Sequence, residues 1–481
     1  MIHSQQLTKL DKKHLWHPFT PMKDWLENEP LIIERGKGSY LYATNGKRYL
    51  DGVSSLWCNV HGHHRPEIDR AIRRQLNKIA HSTMLGLSHP TAIKLAEQLI
   101  DLAPRGLSRV FYSDDGSTAM EIALKMAFQF WKQIPQSAIR NPKSKFLTLT
   151  NAYHGDTVGS VSLGGIELFH SVYKPLLFST IRVPAPYCYR CPFIPSYNVT
   201  KLQRYNETLK HSNTETSYEP NPPSCGLLCV KELERVMKRH QRELAALVIE
   251  PLIQCAAGML TQPRGFLKKV RQLCTKYNVL MIADEVATGF GRTGRMFACQ
   301  HEGVTPDIMA VAKGITGGYL PLAATFTTER IFNAFLGESY ENKTFFHGHT
   351  YTGNPLACAA ALANLQIFRR EQTIKKLQPK IKHLTQGLRR FYNLPAVGDI
   401  RQCGFMTGIE LVRNRTTREP YPPRRQMGHR VIMEARKQGV ILRPLGDVIV
   451  LMPPLVISQK ELERLLTVTY WSIEKVTEQL E

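Results

Sequence analysis

From about residue 90, the chain alternates between segments with apolar residues at helical spacing and short continuous apolar runs. Helical spacing is found in TAIKLAEQLIDLA and TAMEIALKMAFQFWKQ, and the continuous runs are RVFYS, KFLTLT, ALVIEP and VLMIADEV. Such runs are typical of strands buried on both faces, and helices of this length connect parallel strands. The pattern therefore predicts an α/β fold with a mainly parallel sheet covered by helices on both faces.

The two ends of the chain have a different pattern. Residues 30–50 alternate apolar and polar positions around Asn45-Gly46, which predicts a small antiparallel meander. After about residue 355 the helical segments are more charged, and FMTGIELV and VIVLMPPL predict strands. We expect a smaller α+β domain made of residues 1–75 and 346–481. The large domain is expected over residues 76–345, with a polar, Pro- and Asn-rich insertion at about 186–228.

Composition restricts the class of protein. The chain has 481 residues, of which 43% are hydrophobic and 21% charged, as in soluble globular proteins. The first residues have no apolar signal segment, and no apolar stretch of about 18 residues occurs, so we expect a cytoplasmic protein without a membrane partner. The net charge is +23, but Lys and Arg are scattered without a nucleic-acid-binding motif. We therefore expect a basic surface rather than a nucleic-acid partner.

Ten cysteines are too few for a disulfide scaffold in a chain of this length. Cys188 and Cys191 form one close pair, and Cys225 and Cys229 form another, so a structural zinc site with four thiolates is one alternative. The unequal spacing and the polar segment between the pairs favour reduced loop cysteines. We predict no metal.

A turn between a strand and a helix is the first candidate site for chemistry. Strand VFYS ends at Asp114-Asp115-Gly116-Ser117, and Thr118 and Glu121 have the spacing of a capping box. Gly116 permits close approach of the backbone, and the free N–H groups at a helix start bind anions. The turn predicts a phosphate site, with a plain strand-to-helix turn as the alternative.

Asp284 is the second candidate, because it ends the apolar strand VLMIAD. Open α/β sheets place ligands at the carboxyl ends of their strands, and a carboxylate there needs a positive partner. The alternative is that Asp284 caps the next helix. The following TGFGRTG is not a dinucleotide-binding motif, because its spacing is wrong and it follows the acid.

Lys313 and Tyr153 complete the set. Lys313 ends an apolar run in MAVAKGITGG, where an ammonium is costly to bury; alternatively, its stem lies on the core while its amine reaches water. Tyr153 follows the strand KFLTLT, where its ring can stack on a flat ligand. An amine, a strand-end acid, a phosphate site and an aromatic ring are together what a pyridoxal phosphate site requires.

At this point the chain resembles a known family. The motif IADEVATGFGRTG, whose Asp284 precedes Lys313 of AKGITGG by 29 residues, is similar to that of the fold-type I class III aminotransferases. The resemblance covers about residues 14–455. Within the family, HLWHPFTPM, DGVSSLWCNVHGH, NAYHGDTVG, FFHGHTYTGNPLACAAAL and RPLGDVIVLMPPL resemble the branch that converts 8-amino-7-oxononanoate to 7,8-diaminononanoate in biotin biosynthesis.

The resemblance implies a role for each matching residue. Lys313 would form the Schiff base with pyridoxal phosphate and shuttle the proton, and Asp284 would face the ring nitrogen. Phosphate would be bound by Gly116, Ser117 and, from the neighbouring subunit of a homodimer, Thr350 with His349 beside it. Glu250 would lie near the cofactor. The substrate pocket implied by the resemblance contains Phe19, Leu56, Trp57, Tyr153, Lys313, Gly348 and, for a carboxylate, Arg443.

The amino donor is the least defined part of this interpretation. Many members that use S-adenosylmethionine have Tyr and Trp at the positions of Phe19 and Leu56, and a branch common in bacilli uses lysine instead. S-Adenosylmethionine is expected from the family, and lysine is the alternative. A different class III ω-aminotransferase, acting on ornithine, 4-aminobutyrate or a polyamine, is the main alternative function.

Overall fold

A computed structural model describes residues 2–134, 143–193 and 225–478 of the chain. Its central element is a seven-stranded sheet in the order β4-β12-β11-β10-β7-β5-β6, where β4 is Leu107–Ser113, β5 Lys145–Leu149, β6 Ile181–Val183, β7 Leu244–Ile249, β10 Leu280–Asp284, β11 Ile308–Val311 and β12 Ala323–Thr328. β11, β10, β7, β5 and β6 pair in parallel, whereas β12 is antiparallel to both of its neighbours. The predicted mainly parallel α/β sheet is confirmed.

The central strands are buried because they are apolar throughout. Every residue of β7 (LAALVI) and β10 (LMIAD) is buried. Helix Gly116–Gln133 packs on one face through Ala119, Ile122 and Ala123. Burial on both faces removes the alternation of a half-exposed strand, which explains the continuous apolar runs in the sequence.

Two smaller sheets are built from the ends of the chain. The predicted meander forms β1 (Ile33–Lys37), β2 (Tyr40–Ala43) and β3 (Arg48–Asp51), and the turn at Asn45-Gly46 has a Gly46 φ of 80°. β15 (Val440–Ile441) joins this sheet parallel to β3. The second sheet is antiparallel, in the order β13-β14-β17-β16, where β13 is Val397–Cys403, β14 Met406–Leu411, β16 Arg443–Leu445 and β17 Val448–Leu451.

The remaining regular elements connect these sheets. A two-stranded hairpin contains β8 (Ile253–Gln254) and β9 (Leu260–Thr261). The α-helical segments are Ile2–His14, Met22–Glu27, Pro66–Leu76, Pro90–Leu102, Gly116–Gln133, Val158–Leu163, Glu167–His170, Leu228–His240, Phe266–Lys276, Glu329–Asn333, Pro355–Arg370, Thr373–Leu388, Met427–Lys437 and Gln459–Glu478, and an irregular helical turn spans Ser54–Trp57. The 3₁₀ segments are Ser171–Leu176, Ala298–His301, Lys313–Thr316, Ser339–Glu341, Arg389–Asn393 and Pro423–Arg425.

Among the helices of the described ranges, none combines the length and apolar character needed to cross a membrane. The predicted polar insertion at 186–228 lies largely outside the described residues, which stop at 193 and resume at 225. The division into residues 1–75, 76–345 and 346–481 stays a prediction.

Candidate active site

A cavity of about 450 Å³ lies at the carboxyl ends of the parallel strands. It has the size of a small-molecule site. The connections that follow β4, β5, β7, β10 and β11 all contribute to its wall. The lining includes seven of the residues singled out in the sequence, namely Trp57, Gly116, Ser117, Tyr153, Glu250, Asp284 and Lys313.

The helix that starts at Gly116 directs its N-terminus to this cavity. Its cap is Asp115, whose carboxylate accepts from the Thr118 N–H at 3.0 Å, while the Thr118 hydroxyl accepts from the Asp115 N–H at 3.1 Å. The predicted capping box of Thr118 and Glu121 is therefore wrong. Asp115 starts the helix earlier than that spacing implied, and Glu121 instead accepts from the Gly159 N–H at 2.8 Å.

Gly116 lets this helix approach the strand that carries the acid. A Cβ at Gly116 would lie 2.6 Å from Cγ1 of Val286, two residues beyond Asp284. A side chain here would force these elements apart, so the glycine keeps the free N–H groups of the helix close to the acid.

Asp284 and His154 form a buried pair. His154 Nδ1 lies 2.7 Å from Asp284 Oδ2, and the other Asp284 oxygen accepts from the Val286 N–H at 3.0 Å. Burial disfavours the charged imidazole, but the hydrogen bond and charge of Asp284, with the charge of Glu250, raise the pKa of His154 above its ordinary value. The hydrogen bond from His154 fixes the position of the Asp284 carboxyl group at the cavity wall.

Glu250 is a buried residue of the cavity wall near this pair. Its carboxylate accepts from the N–H groups of Tyr153 at 3.1 Å and Cys255 at 2.9 Å. Burial raises the pKa of Glu250 to about 7, and the nearby charge of His154 opposes that shift. Glu250 therefore joins the connection after β5 to the connection after β7.

Lys313 follows β11 and has a strained backbone. Its φ is 45°, in the left-handed region that is uncommon for residues other than glycine. Its ammonium lies 5.7 Å from the centre of the Trp57 ring, in cation–π range. Left-handed backbone and a cavity-lining amine at one residue are typical of a functional position.

Tyr153 lines the cavity, and Arg443 lies near Tyr153. Burial raises the pKa of Tyr153, and its hydroxyl donates to Asp156 at 2.6 Å. Burial lowers the pKa of Arg443, and the charge of Tyr153 opposes this. The Nε of Arg443 is buried and has no hydrogen-bond partner in the described part of the chain. Arg443 therefore has a donor available for an anionic group.

Six of the predicted site residues, Arg443 among them, do not line the cavity of this single chain. Phe19 is exposed, and its ring makes an edge contact at 5.5 Å with Phe169, which in turn lies 6.3 Å from Tyr153. The others are Leu56, Gly348, His349 and Thr350; of these, Leu56, Gly348 and Thr350 are exposed, and His349 pairs through Nδ1 with Asp114 at 2.8 Å.

The cysteines form no recognisable metal centre. All ten are free thiols, and no group of three or more metal-ligating side chains occurs within residues 2–134, 143–193 and 225–478. Cys229 is buried on helix Leu228–His240, so the expectation that it is a loop cysteine is wrong.

His154 is the most important site residue that sequence reasoning did not select. The motif NAYHGDT drew attention to Tyr153, and the neighbouring histidine pairs with an acid 130 positions further along the chain. A histidine directly after a buried strand was the available signal. Cys255, Thr288 and Tyr319 also line the cavity, and nothing in their sequence context marked them.

Comparisons with known proteins agree with this geometry. Residues 22–470 match the family described as Aminotransferase class-III. The chain is 55% identical over 473 residues to the adenosylmethionine-8-amino-7-oxononanoate aminotransferase of Nitratidesulfovibrio vulgaris, covering 98% of this chain and 82% of that protein. The crystal structure of the Methanocaldococcus jannaschii protein of the same name has a TM-score of 0.87 at 44% identity, covering 98% of this chain and 99% of that one.

A more distant solved structure extends the comparison. The omega transaminase from Pseudomonas jessenii in complex with PMP has a TM-score of 0.87 at 31% identity, with 98% of each chain covered. The fold is therefore that of the fold-type I class III transaminases. Together with the extent of the family match, these similarities establish that the chain belongs to the class-III aminotransferases, a family that in general depends on pyridoxal phosphate.

Proposed function

We propose that the cavity binds pyridoxal phosphate and transfers an amino group to 8-amino-7-oxononanoate, yielding 7,8-diaminononanoate, a step of biotin biosynthesis. The observation that carries the proposal is the meeting of Asp284, Lys313 and the helix start at Gly116 in one cavity. When bound, pyridoxal phosphate supplies an aldehyde that condenses with amines and a ring that accepts the negative charge of a deprotonated carbon.

The residues fit this group. The first N–H groups of helix Gly116–Gln133 and the Ser117 hydroxyl suit a phosphate, because the helix dipole and unpaired donors favour an anion there. Asp284 lies at the cavity wall with a lone pair available after accepting from His154 and Val286. This carboxylate suits a protonated ring nitrogen.

Lys313 is the proposed catalytic residue. Its Nζ would hold the aldehyde of the cofactor and, once free, would take the proton from the α-carbon of the donor and return it to the neighbouring carbon. The same amine would carry the proton in the opposite direction for the acceptor. Asp284, held by His154, would face the ring nitrogen of the cofactor.

Arg443 and Tyr153 are proposed to orient the substrate. Arg443 has a buried Nε without a hydrogen-bond partner in the described residues, and its planar guanidinium suits a carboxylate. Tyr153 lies close enough to Arg443 and Asp284 for both charges to affect its hydroxyl. A Cβ at Gly348 would meet no atom within 4 Å, so the space beside this glycine is open. The substrate named for the relatives of this chain, an amino-oxo acid, has both a carboxylate and an apolar chain.

The donor is proposed to be S-adenosylmethionine, after the name of the relatives. Phe19 and Leu56 are the positions that bear on this choice, since both are exposed apolar side chains without a hydroxyl or indole N–H. L-Lysine is the donor to compare with it.

A homodimer is also proposed. Four large apolar side chains are exposed on the surface around the segment that carries Thr350, namely Leu85, Leu87, Phe346 and Tyr351. Exposed apolar surface of this kind suits a protein interface. In such a dimer Thr350 would contribute to the phosphate site of the other subunit. The smaller domain of residues 1–75 and 346–481 would complete each site through Trp57 and Arg443.

The test is an assay of purified protein loaded with pyridoxal phosphate. 8-Amino-7-oxononanoate is supplied with S-adenosylmethionine or L-lysine, and formation of 7,8-diaminononanoate is measured. Turnover with one of these donors supports the proposal, and the ratio of kcat/KM values identifies the donor. Turnover of ornithine, 4-aminobutyrate or a polyamine without use of the amino-oxo acid would reject it.

A further inference from the structure

The turn Ser54–Trp57 has a strained backbone. Ser54, Ser55 and Trp57 have φ values of 52°, 61° and 63°, although none is glycine. Ser55 combines its φ with a ψ of −87°, close to the γ-turn conformation that is rare and strained. Strain of this kind persists only where surrounding groups impose it.

Asp51 supplies the restraint. It ends β3, is fully buried, and accepts from the Val53 N–H at 3.2 Å and from the Ser55 N–H at 2.8 and 3.0 Å. The carboxylate therefore binds the backbone on both sides of Ser54. Charge-assisted hydrogen bonds of this kind are stronger than neutral ones, which is what a strained turn requires.

A chain of hydrogen bonds holds Asp51 in turn. His63 Nε2 lies 2.9 Å from Asp51 Oδ2, and Asn59 Nδ2 lies 3.2 Å from His63 Nδ1. Because the amide nitrogen of Asn59 only donates, Nδ1 accepts and Nε2 donates to Asp51. The main-chain carbonyl oxygen of Asn59 accepts from Nη2 of the fully buried Arg292 at 2.8 Å.

The far end of the turn reaches the cavity. The Trp57 ring is buried in the cavity wall, 5.7 Å from Lys313 Nζ, and its indole Nε1 is buried without a hydrogen-bond partner in the described residues. A buried unpaired donor is costly, so this N–H is available to an acceptor atom of a ligand. Its direction depends on the backbone at Ser55.

We infer that Asp51 is a positioning residue for substrate binding: it imposes the strained turn that places the Trp57 ring and its N–H against the substrate. The inference rests on the proposed function, because the substrate must carry an acceptor such as an oxo or carboxylate oxygen. Asp51 itself lies behind the turn and does not line the cavity.

The experiment is a double-mutant cycle between Asp51→Ala and Trp57→Ala, with kcat and KM measured for the amino-oxo acid and for the donor. We expect Asp51→Ala to raise KM about tenfold and to change kcat less. In the Trp57→Ala background the same substitution should have little effect on KM, since its action passes through the indole. An equal rise in KM in both backgrounds would overturn the inference.

Two further variants separate positioning from folding. Asp51→Asn keeps one acceptor oxygen and should restore part of the low KM. Ser55→Gly adopts the same turn without strain, so its Tm and KM should stay close to those of the original protein, and in the Asp51→Ala background it should restore part of the low KM. A KM in the Asp51→Ala, Ser55→Gly variant as high as in Asp51→Ala alone would contradict the inference.

Asp307→Asn is the matched control. Asp307 also accepts from a backbone N–H, that of Met281, and pairs with Arg271. It directly precedes β11, at the amino ends of the parallel strands and therefore away from the cavity. Its substitution should lower Tm without raising KM. If KM follows Tm in all variants, Asp51 has only a structural role. The coupling is measured on the donor half-reaction as well, so a wrong acceptor assignment is recognised separately.

Discussion

His154 Nδ1 lies 2.7 Å from Asp284 Oδ2 at the carboxyl end of β10, and both side chains are buried. We predict that Asp284→Asn lowers kcat by about 10²-fold or more, because it removes the fixed negative charge from the cavity. His154→Gln should cost less, about 10- to 100-fold, since only a hydrogen bond to that charge is lost. Single-turnover absorbance of the bound cofactor measures both, and Asp284→Glu is the charge-preserving control. Equal kcat in Asp284→Asn and the original protein would contradict this role.

Glu250 predicts a pH dependence of stability. Burial raises its pKa from 4.5 to about 7, so the folded state holds a proton that the unfolded state releases above about pH 4.5. The contribution is present below that pH and is lost as pH rises through about 7. This contribution to the free energy of unfolding is on the order of 3 kcal/mol. Glu250→Gln should flatten the free energy of unfolding over this window in denaturant titrations. If Glu250→Gln leaves the pH dependence of the free energy of unfolding unchanged, Glu250 does not titrate in this window.

Lys313→Ala should lower the rate of both half-reactions by about 10²- to 10⁴-fold or more, because the proton carrier is removed. Circular dichroism should show an intact fold, since the Lys313 side chain makes no hydrogen bond within the described residues and its left-handed backbone becomes no worse with alanine. A small primary amine added to the solution should restore part of the rate. Native rates without added amine would rule out the proposed role.

Arg443→Ala should raise KM for the amino-oxo acid about 10- to 100-fold, the effect of losing a charge-assisted hydrogen bond. Arg443→Lys should restore only part of the affinity, because an ammonium lacks the planar pair of donors. Steady-state kinetics at saturating donor make this comparison. KM unchanged in both variants would place the substrate carboxylate elsewhere.

Much of the site was predictable from single stretches of sequence. Asp284, Lys313, Tyr153 and Gly116 each follow a strand that is readable as an apolar run, and parallel strands bring their carboxyl ends to one edge. The continuous apolar runs therefore predicted both the parallel sheet and the meeting of these residues at one end of it. Whether these residues are helix caps, plain turns or site residues could be decided only when the order of the strands in the sheet was known.

What could not be predicted depends on pairs that are distant in sequence. His154 follows β5 and Asp284 ends β10, and these two strands lie close to each other because both pair with β7. Likewise, β15 pairs with β3 across almost 400 residues, and no local pattern specifies that partner. The helix cap at Asp115 was missed for a different reason: two spacings in DDGSTAME fit a cap, and Glu121 accepts from the Gly159 N–H instead of capping the helix.

Each functional group of the cavity stands on a separate connection: the helix start after β4, Tyr153 after β5, Glu250 after β7, Asp284 at the end of β10 and Lys313 after β11. Because each connection carries one of these groups, a substitution in one connection leaves the other groups in place. On the proposed function, exchange of side chains such as Phe19 or Leu56, which belong to none of these connections, would change which amine is accepted while the acid, the lysine and the helix start at Gly116 stay where they are. Diversification of amine choice within one ancestral scaffold is the natural outcome.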